Sequence, residues 1–262
     1  MSEQDRTIGR AIVRPPSANF SEGLTTVNLG APAYQLALKQ HEAYCAALQR
    51  CGLELVRLAA DEQHPDATFV EDTAVLTRHC AILARPGAAS RVGEVTAMRK
   101  VLVQFYSELH FIREPGTLDG GDVCEAGNHF FIGISRRTNE EGGRQLAALL
   151  ALFGFSSSFV DIRSVEHILH LKSGVAYLGD NRLVVIDALA DRDEFRGYNL
   201  VRVGAGEEYA ANCLCVNDHV LVAANYPAIE RKLRELGCQT ISLEMSEFQK
   251  MDGGLSCLSM RF

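Results

Sequence analysis

Apolar residues along this chain gather in short runs that come in pairs, each pair folded about a polar turn. Thr73-Ala-Val-Leu76 and Cys80-Ala-Ile-Leu83 flank Thr77-Arg-His79, while Val123-Cys124 and His129-Phe-Phe-Ile-Gly133 flank Ala126-Gly-Asn128. Val175-Ala-Tyr-Leu178 and Arg182-Leu-Val-Val-Ile186 flank Gly179-Asp-Asn181, and Asn212-Cys-Leu-Cys-Val216 and His219-Val-Leu-Val-Ala223 flank Asn217-Asp218. Short apolar runs bounded by turn residues predict strands joined as hairpins. Behind each pair the spacing turns helical, from about Val92 to Tyr106, Asn139 to Phe153, Leu189 to Phe195 and Ala228 to Leu236. Ahead of them lie a strand at Ala11 to Arg14, a long loop from Pro15 to Thr26 that reads as a lid, and a helix from Pro32 to Arg50. Tyr34, Leu38, Tyr44, Cys45 and Leu48 share one side of that helix, His41 is expected to be solvated or capping, and Leu53 to Leu58 is a strand.

A loop, two strands, a helix and an edge strand thus recur every 40 to 50 residues or so, roughly the period of a closed array. A helix in each copy excludes an all-β blade. The fifth copy, Met251-Asp-Gly-Gly254 and the strand after it, lacks a second strand, and Ala11 to Arg14 is available to supply one. The pattern predicts an α/β fold: a ring of five ββαβ units, with the N-terminal strand completing the last blade. No linker divides the ring, so residues 1–262 read as one domain. In the last copy Leu255, Cys257 and Ser259 are expected on one face of a strand, which presents Cys257 beside Gly253 and Gly254.

The formal charge of -7 and the dispersed basic residues argue against nucleic acid or an anionic membrane as partner. Met1-Ser-Glu-Gln-Asp-Arg-Thr lacks the pattern of a secretory signal, so a cytoplasmic location and eight reduced cysteines are expected. Cys213 and Cys215 point the same way from a strand, but no matching pair completes a structural zinc site, and no metal is expected.

Loops converging at the centre of such a ring would bring together Glu71, Asp72, Asp119, His170 and Cys257. A thiolate that attacks and an imidazole that moves protons are the parts of nucleophilic catalysis. The adjacent carboxylates suit a planar cation held by charge-assisted hydrogen bonds, and a guanidinium fits that description.

Five segments carry a resemblance. His64-Pro-Asp-Ala-Thr-Phe-Val-Glu-Asp-Thr73, Gly116-Thr-Leu-Asp-Gly-Gly-Asp122, Gly133-Ile-Ser-Arg-Arg-Thr-Asn139, Leu169-His-Leu-Lys-Ser173 and Lys250-Met-Asp-Gly-Gly-Leu-Ser-Cys-Leu-Ser259 resemble the dimethylarginine dimethylaminohydrolases. These belong to the pentein, or guanidino-group-modifying, superfamily, whose fold is a five-bladed α/β propeller. The resemblance implies Cys257 as nucleophile, His170 as general acid and base, and Asp119, one methylene shorter than the glutamate of some bacterial relatives, orienting the histidine. It implies Glu71 and Asp72 as the guanidinium-binding pair, with Phe69 lining their pocket. Arg91 and Arg137 would take the α-carboxylate, Arg136 being an alternative to the latter. Leu24 would lie in the lid, Asp66 and Met251 near the amino-acid end, and Ser256 beside the nucleophile.

The activity implied is cofactor-free hydrolysis of a small-molecule substrate, a methylated arginine, to citrulline. A homodimer is left open. Alternatives are an arginine deiminase or citrulline hydrolase, although deiminases carry an added helical domain, and a non-catalytic pentein-fold binding protein, which would lack the cysteine and histidine. A redox or metal sensor using the many cysteines is a further reading.

Overall fold

A computed structural model describes residues 7–262, and over these the chain forms five three-stranded sheets. Strand β1 (Arg10–Val13) leads through the long loop to helix α1 (Tyr34–Arg50) and strand β2 (Glu54–Arg57). The next unit holds β3 (Ala74–Leu76), β4 (Ala81–Leu83), α2 (Val92–Leu102) and β5 (Leu109–Phe111). It is followed by β6 (Val123–Ala126), β7 (His129–Ile134), α3 (Glu140–Leu152) and β8 (Ser156–Asp161), then β9 (Val175–Tyr177), β10 (Arg182–Ile186) and β11 (Asn199–Val203). The fourth unit is β12 (Leu214–Val216), β13 (His219–Ala223), α4 (Pro227–Glu235) and β14 (Gln239–Leu243); a short α5 (Ser246–Gln249) and β15 (Ser259–Arg261) end the chain.

In these four units the first two strands pair antiparallel across the hairpin turn. The second and third pair parallel, which demands a crossover. The remaining sheet is ordered β15-β1-β2. There Ile12 lies opposite Met260 in an antiparallel pair and opposite Val56 in a parallel one. The N-terminal strand completes the last blade, α1 is that blade's crossover helix, and the five-unit propeller expected from the repeat is the architecture observed.

Three local expectations are corrected. Leu189 to Phe195 is not a helix but part of two 3-10 turns, Asp187–Leu189 and Asp193–Phe195. Leu189 and Phe195 are both buried, yet their spacing puts them on different sides of an α-helix, so two separate turns bury what one helix could not. His41 is buried at 3% exposure, on the stripe of α1 that carries Ala37, Tyr44, Cys45 and Leu48. Burial, followed by the charge of Arg57, lowers its pKa to about 4, so it is a neutral core residue. The last strand begins at Ser259, and Cys257 sits instead on a 3-10 turn, Ser256–Leu258.

That third correction is general. A 3-10 turn precedes the inner strand of every unit: Val70–Thr73, Gly120–Asp122, Leu171–Ser173, Glu208–Ala211 and Ser256–Leu258. The heads of the first three copies read as loops, and Ser256–Leu258 read as strand, because a buried 3-10 turn and a buried strand are equally apolar over three residues. All eight cysteines are free, and no helix among the described residues is long and apolar enough to cross a membrane.

Asn217, at φ +50° in the β12–β13 turn, ties three segments together. Its Oδ1 accepts from the Ile8 amide at 2.9 Å, and its Nδ2 donates to Ile8 O at 3.2 Å and Cys51 O at 2.8 Å. Asn217→Ala should therefore destabilise the fold by about 2 kcal/mol, from lost hydrogen bonds plus a left-handed residue that alanine dislikes. The check is a shift of the urea midpoint at unchanged slope.

Candidate active site

The five 3-10 turns meet at one end of the ring, and each delivers a polar or reactive residue there. Glu71 and Asp72 lie within the first turn, Asp119 and His170 immediately precede the second and third, Asn212 follows the fourth, and Cys257 is inside the fifth. All six are buried.

His170 is held between two acids. Its Nε2 lies 3.0 Å from Asp119 Oδ2, so the shorter aspartate reaches, and its Nδ1 faces Asp72 Oδ1 at 4.0 Å. Asp119 Oδ1 accepts from Gly87 N at 2.9 Å and Asp72 Oδ1 from Gly121 N at 2.9 Å. Burial on its own lowers the His170 pKa, but the charges of Asp72, Asp122 and Asp119 outweigh it and raise the value to about 9. His170 is thus an imidazolium at neutral pH. Asp72 shows the reverse: burial opposes its charge, yet His170 and Arg91 hold its pKa down to about 2.

Glu71 and Asp72, one residue apart on a 3-10 turn, point in different directions. Glu71 Oε1 pairs with Lys172 Nζ at 2.7 Å and Arg261 Nη2 at 3.0 Å, while Oε2 accepts from Ser256 Oγ at 2.8 Å. This cluster floors the site. Beyond it opens a cavity of about 1290 Å³ that runs to the hairpin turns at Arg78, Asn128, Asp180 and Asn217. Neither His170, Asp72 nor Cys257 lines that cavity, so this hollow lies behind the candidate site.

Cys257 is 8% exposed, and its backbone N–H closes the turn onto Gly254 O at 3.2 Å. Burial, then the charges of Glu71 and Asp72, push its thiol up to about 12, so the thiol is neutral. Gly253 is required by contact: a Cβ there would stand 2.2 Å from the Phe69 ring, which packs against Phe20 and Phe248.

Nearer the surface, the Leu24 amide donates to both oxygens of Asp66, at 3.0 and 3.2 Å, which anchors the lid. A Cβ on Gly23 would meet Asp66 at 2.4 Å and Met251 at 3.2 Å, so these residues form one lip. Arg137 is half-buried and its charge acts on Asp66, whereas Arg136 is exposed, which favours Arg137. Arg91 turns inward instead. It pairs with Asp72, donates to both oxygens of Glu94 at 2.9 and 2.8 Å, and reaches Phe69 O at 3.0 Å.

Several residues escaped the sequence reading. Asn212 accepts from Ser256 N at 2.9 Å and donates to Lys172 O at 2.8 Å, bracing the nucleophile turn from the fourth blade. Its place at the head of the fourth repeat was the signal. Lys172, Arg261 and Glu94 gave none, because their partners are set by the ring. Asp72, Asp119 and His170 are the one group among the described residues whose ligand atoms lie close enough to hold an ion, within 4.8 Å of one another. Their acid oxygens already accept from Arg91, Gly121, Gly87 and His170, an arrangement suited to moving a proton.

No family model matches the chain. It is 43% identical over 252 residues to the N(G),N(G)-dimethylarginine dimethylaminohydrolase of Pseudomonas aeruginosa, covering 96% of this chain and 98% of that protein. Among solved structures, DDAH from P. aeruginosa, as a cysteine-to-serine variant complexed with citrulline, matches with a TM-score of 0.95 at 42% identity, over 98% of this chain and 100% of that one. A histidine-to-glycine variant of dimethylarginine dimethylaminohydrolase, as an adduct with S-methyl-L-thiocitrulline, matches with a TM-score of 0.94 at 42% identity and the same coverage.

The raised pKa of His170 has two consequences. Its contribution to stability is fully present below the unfolded value of 6.5 and is lost as pH rises through about 9. Asp119→Asn removes one of the supporting charges and leaves burial less opposed, so the imidazole should titrate at lower pH, read from its ring proton shifts by NMR. A titration that does not move would mean Asp119 does not support the imidazolium.

Proposed function

The chain belongs to the dimethylarginine dimethylaminohydrolase family, and from that premise we propose that it hydrolyses Nω-methylated arginines to citrulline, releasing methylamine or dimethylamine. The observation that carries the reading is the imidazolium of His170 fixed between Asp72 and Asp119, on the same ring of turns as a buried, neutral Cys257.

In this reading Asp72 takes the substrate guanidinium, with Glu71 beside it and Phe69 as the wall. Binding a cation against these acids removes the charge that keeps Cys257 protonated, so the thiol ionises as substrate arrives and gives its proton to water. The thiolate attacks the guanidinium carbon, and His170 Nδ1 hands its proton to the departing amine as the C–N bond breaks. A covalent S-alkylthiouronium remains. The now neutral His170 takes a proton from water, and the hydroxide adds to the same carbon. The C–S bond breaks as the hydroxyl proton of the tetrahedral intermediate passes to the departing sulfur, leaving citrulline and the neutral thiol. Asp119 keeps Nε2 protonated throughout, so that Nδ1 is the working nitrogen. Arg137 and Arg91 receive the α-carboxylate, and Asp66, Met251 and Leu24 close over the amino-acid end. Arg137 is the more available of the two arginines, since Arg91 must loosen its hold on Asp72 or share it. Ser256 braces Cys257 through Glu71 and Asn212. The free cysteines suit a cytoplasmic setting.

Asymmetric dimethylarginine, monomethylarginine and arginine offered in parallel test the assignment through citrulline release. The methylated substrates should turn over, and Cys257→Ser should abolish the product while the fold stays intact. In His170→Gly, methylarginine should hardly react, because an amine leaves poorly without a proton. S-methylthiocitrulline should still be attacked, leaving an adduct on Cys257 visible by intact-protein mass spectrometry. Rapid, complete turnover of that analogue would show that another group activates water.

A further inference from the structure

We propose that Asp122 is a positioning residue that locks the turn carrying His170 to the turn carrying Arg137, so that the substrate's carboxylate and its proton donor are held in register. The inference rests on the roles given above to His170 and Arg137.

Asp122 is fully buried, at 0% exposure, and touches neither the candidate nucleophile nor the lip. Its Oδ1 accepts from the amide of Leu171, the residue after His170, at 3.0 Å. Its Oδ2 accepts from Ser135 Oγ at 2.7 Å. That hydroxyl in turn accepts from the amides of Arg137 at 2.9 Å and Thr138 at 3.0 Å, which shapes the turn from which Arg137 projects. Thr138 joins the same circuit: its amide donates to Ser135 Oγ, and its hydroxyl accepts from the amide of Asp119, the acid on His170, at 3.1 Å. Room for the bridge comes from Gly133, where a Cβ would stand 3.0 Å from Asp122 Oδ1 and 2.8 Å from Leu171 Cβ.

Donor and acceptor counting shows why a carboxylate is needed. Ser135 Oγ already accepts two amide hydrogens, so its own hydrogen must be donated onward. With the Leu171 amide, two donors meet the two oxygens, one on each. An asparagine here would aim its NH₂ either at the Leu171 N–H or at the Ser135 O–H, leaving a buried clash of donors in both orientations. The backbone of His170, the acid that orients it and the turn of Arg137 therefore all connect through one side chain.

A role as general structural glue would lower the rate for every substrate alike. A bridge between carboxylate recognition and proton delivery changes two ratios. The test compares kcat/KM of wild type and Asp122→Asn on monomethylarginine, its decarboxylated counterpart and S-methylthiocitrulline. Monomethylarginine should fall by about 100-fold, the scale of a misplacement of about 1 Å. The advantage of monomethylarginine over its decarboxylated counterpart should shrink by about tenfold, because an unregistered Arg137 no longer aligns what it binds. The advantage of S-methylthiocitrulline over monomethylarginine should grow by about tenfold, because a thiolate leaves without the proton of His170. If the asparagine variant does not fold, Ser135→Ala breaks the bridge from the other side and should move both ratios in the same directions. Either folded variant with one or both ratios at the wild-type value overturns the coupling. A wild type that releases no citrulline from methylarginine would instead overturn the function on which it rests.

Discussion

One strand pairing, between the two ends of the chain, both closes the ring and sets the position of Cys257. β1 lies fully inside the last sheet, with Ala11, Ile12 and Val13 opposite Arg261, Met260 and Ser259. Cys257 stands two residues before the first paired position, so the closure that removes an open edge also determines where the thiol sits. Closing so long a loop costs only slightly more entropy than closing a short one, because the cost grows with the logarithm of length. Side chains reinforce the closure: Tyr44 on α1 shares a hydrogen bond with Ser259 at 2.6 Å, and Arg261 reaches back to Ser256 O at 3.1 Å.

Charge at the ring centre is arranged in matched sets because the centre is buried. Glu71 has Lys172 and Arg261, Asp72 has Arg91 and His170, and Asp119 has His170 and a backbone amide. Breaking one such set leaves a buried charge uncompensated, which costs several kcal/mol, roughly, and far exceeds the net worth of the intact pair. The exception is Cys257, which burial and then the charges of Glu71 and Asp72 keep neutral. The proposed lid fits the same logic: Leu24 is tied by its backbone to Asp66 and brings no charge of its own.

Blade architecture was legible in the sequence because each hairpin announces itself through two apolar runs and a polar turn, and Asn217 and Gly179 have the positive φ that such turns require. The match of Ala11–Arg14 to the incomplete last copy, and the presence of a cysteine, a histidine and acids at the heads of repeats, followed from counting alone. Local pattern could not decide the conformation at those heads. Leu255 to Leu258 is apolar enough for a strand, but the Cys257 amide bonds to Gly254 O and the Ser256 amide to Asn212, so contacts from another blade wind it into a turn. Nor could it divide Glu71 from Asp72, send Arg91 inward to Glu94, or connect Asp122 to Ser135. Those choices depend on which buried donor meets which acceptor across blades, and such partners exist only once the ring has closed.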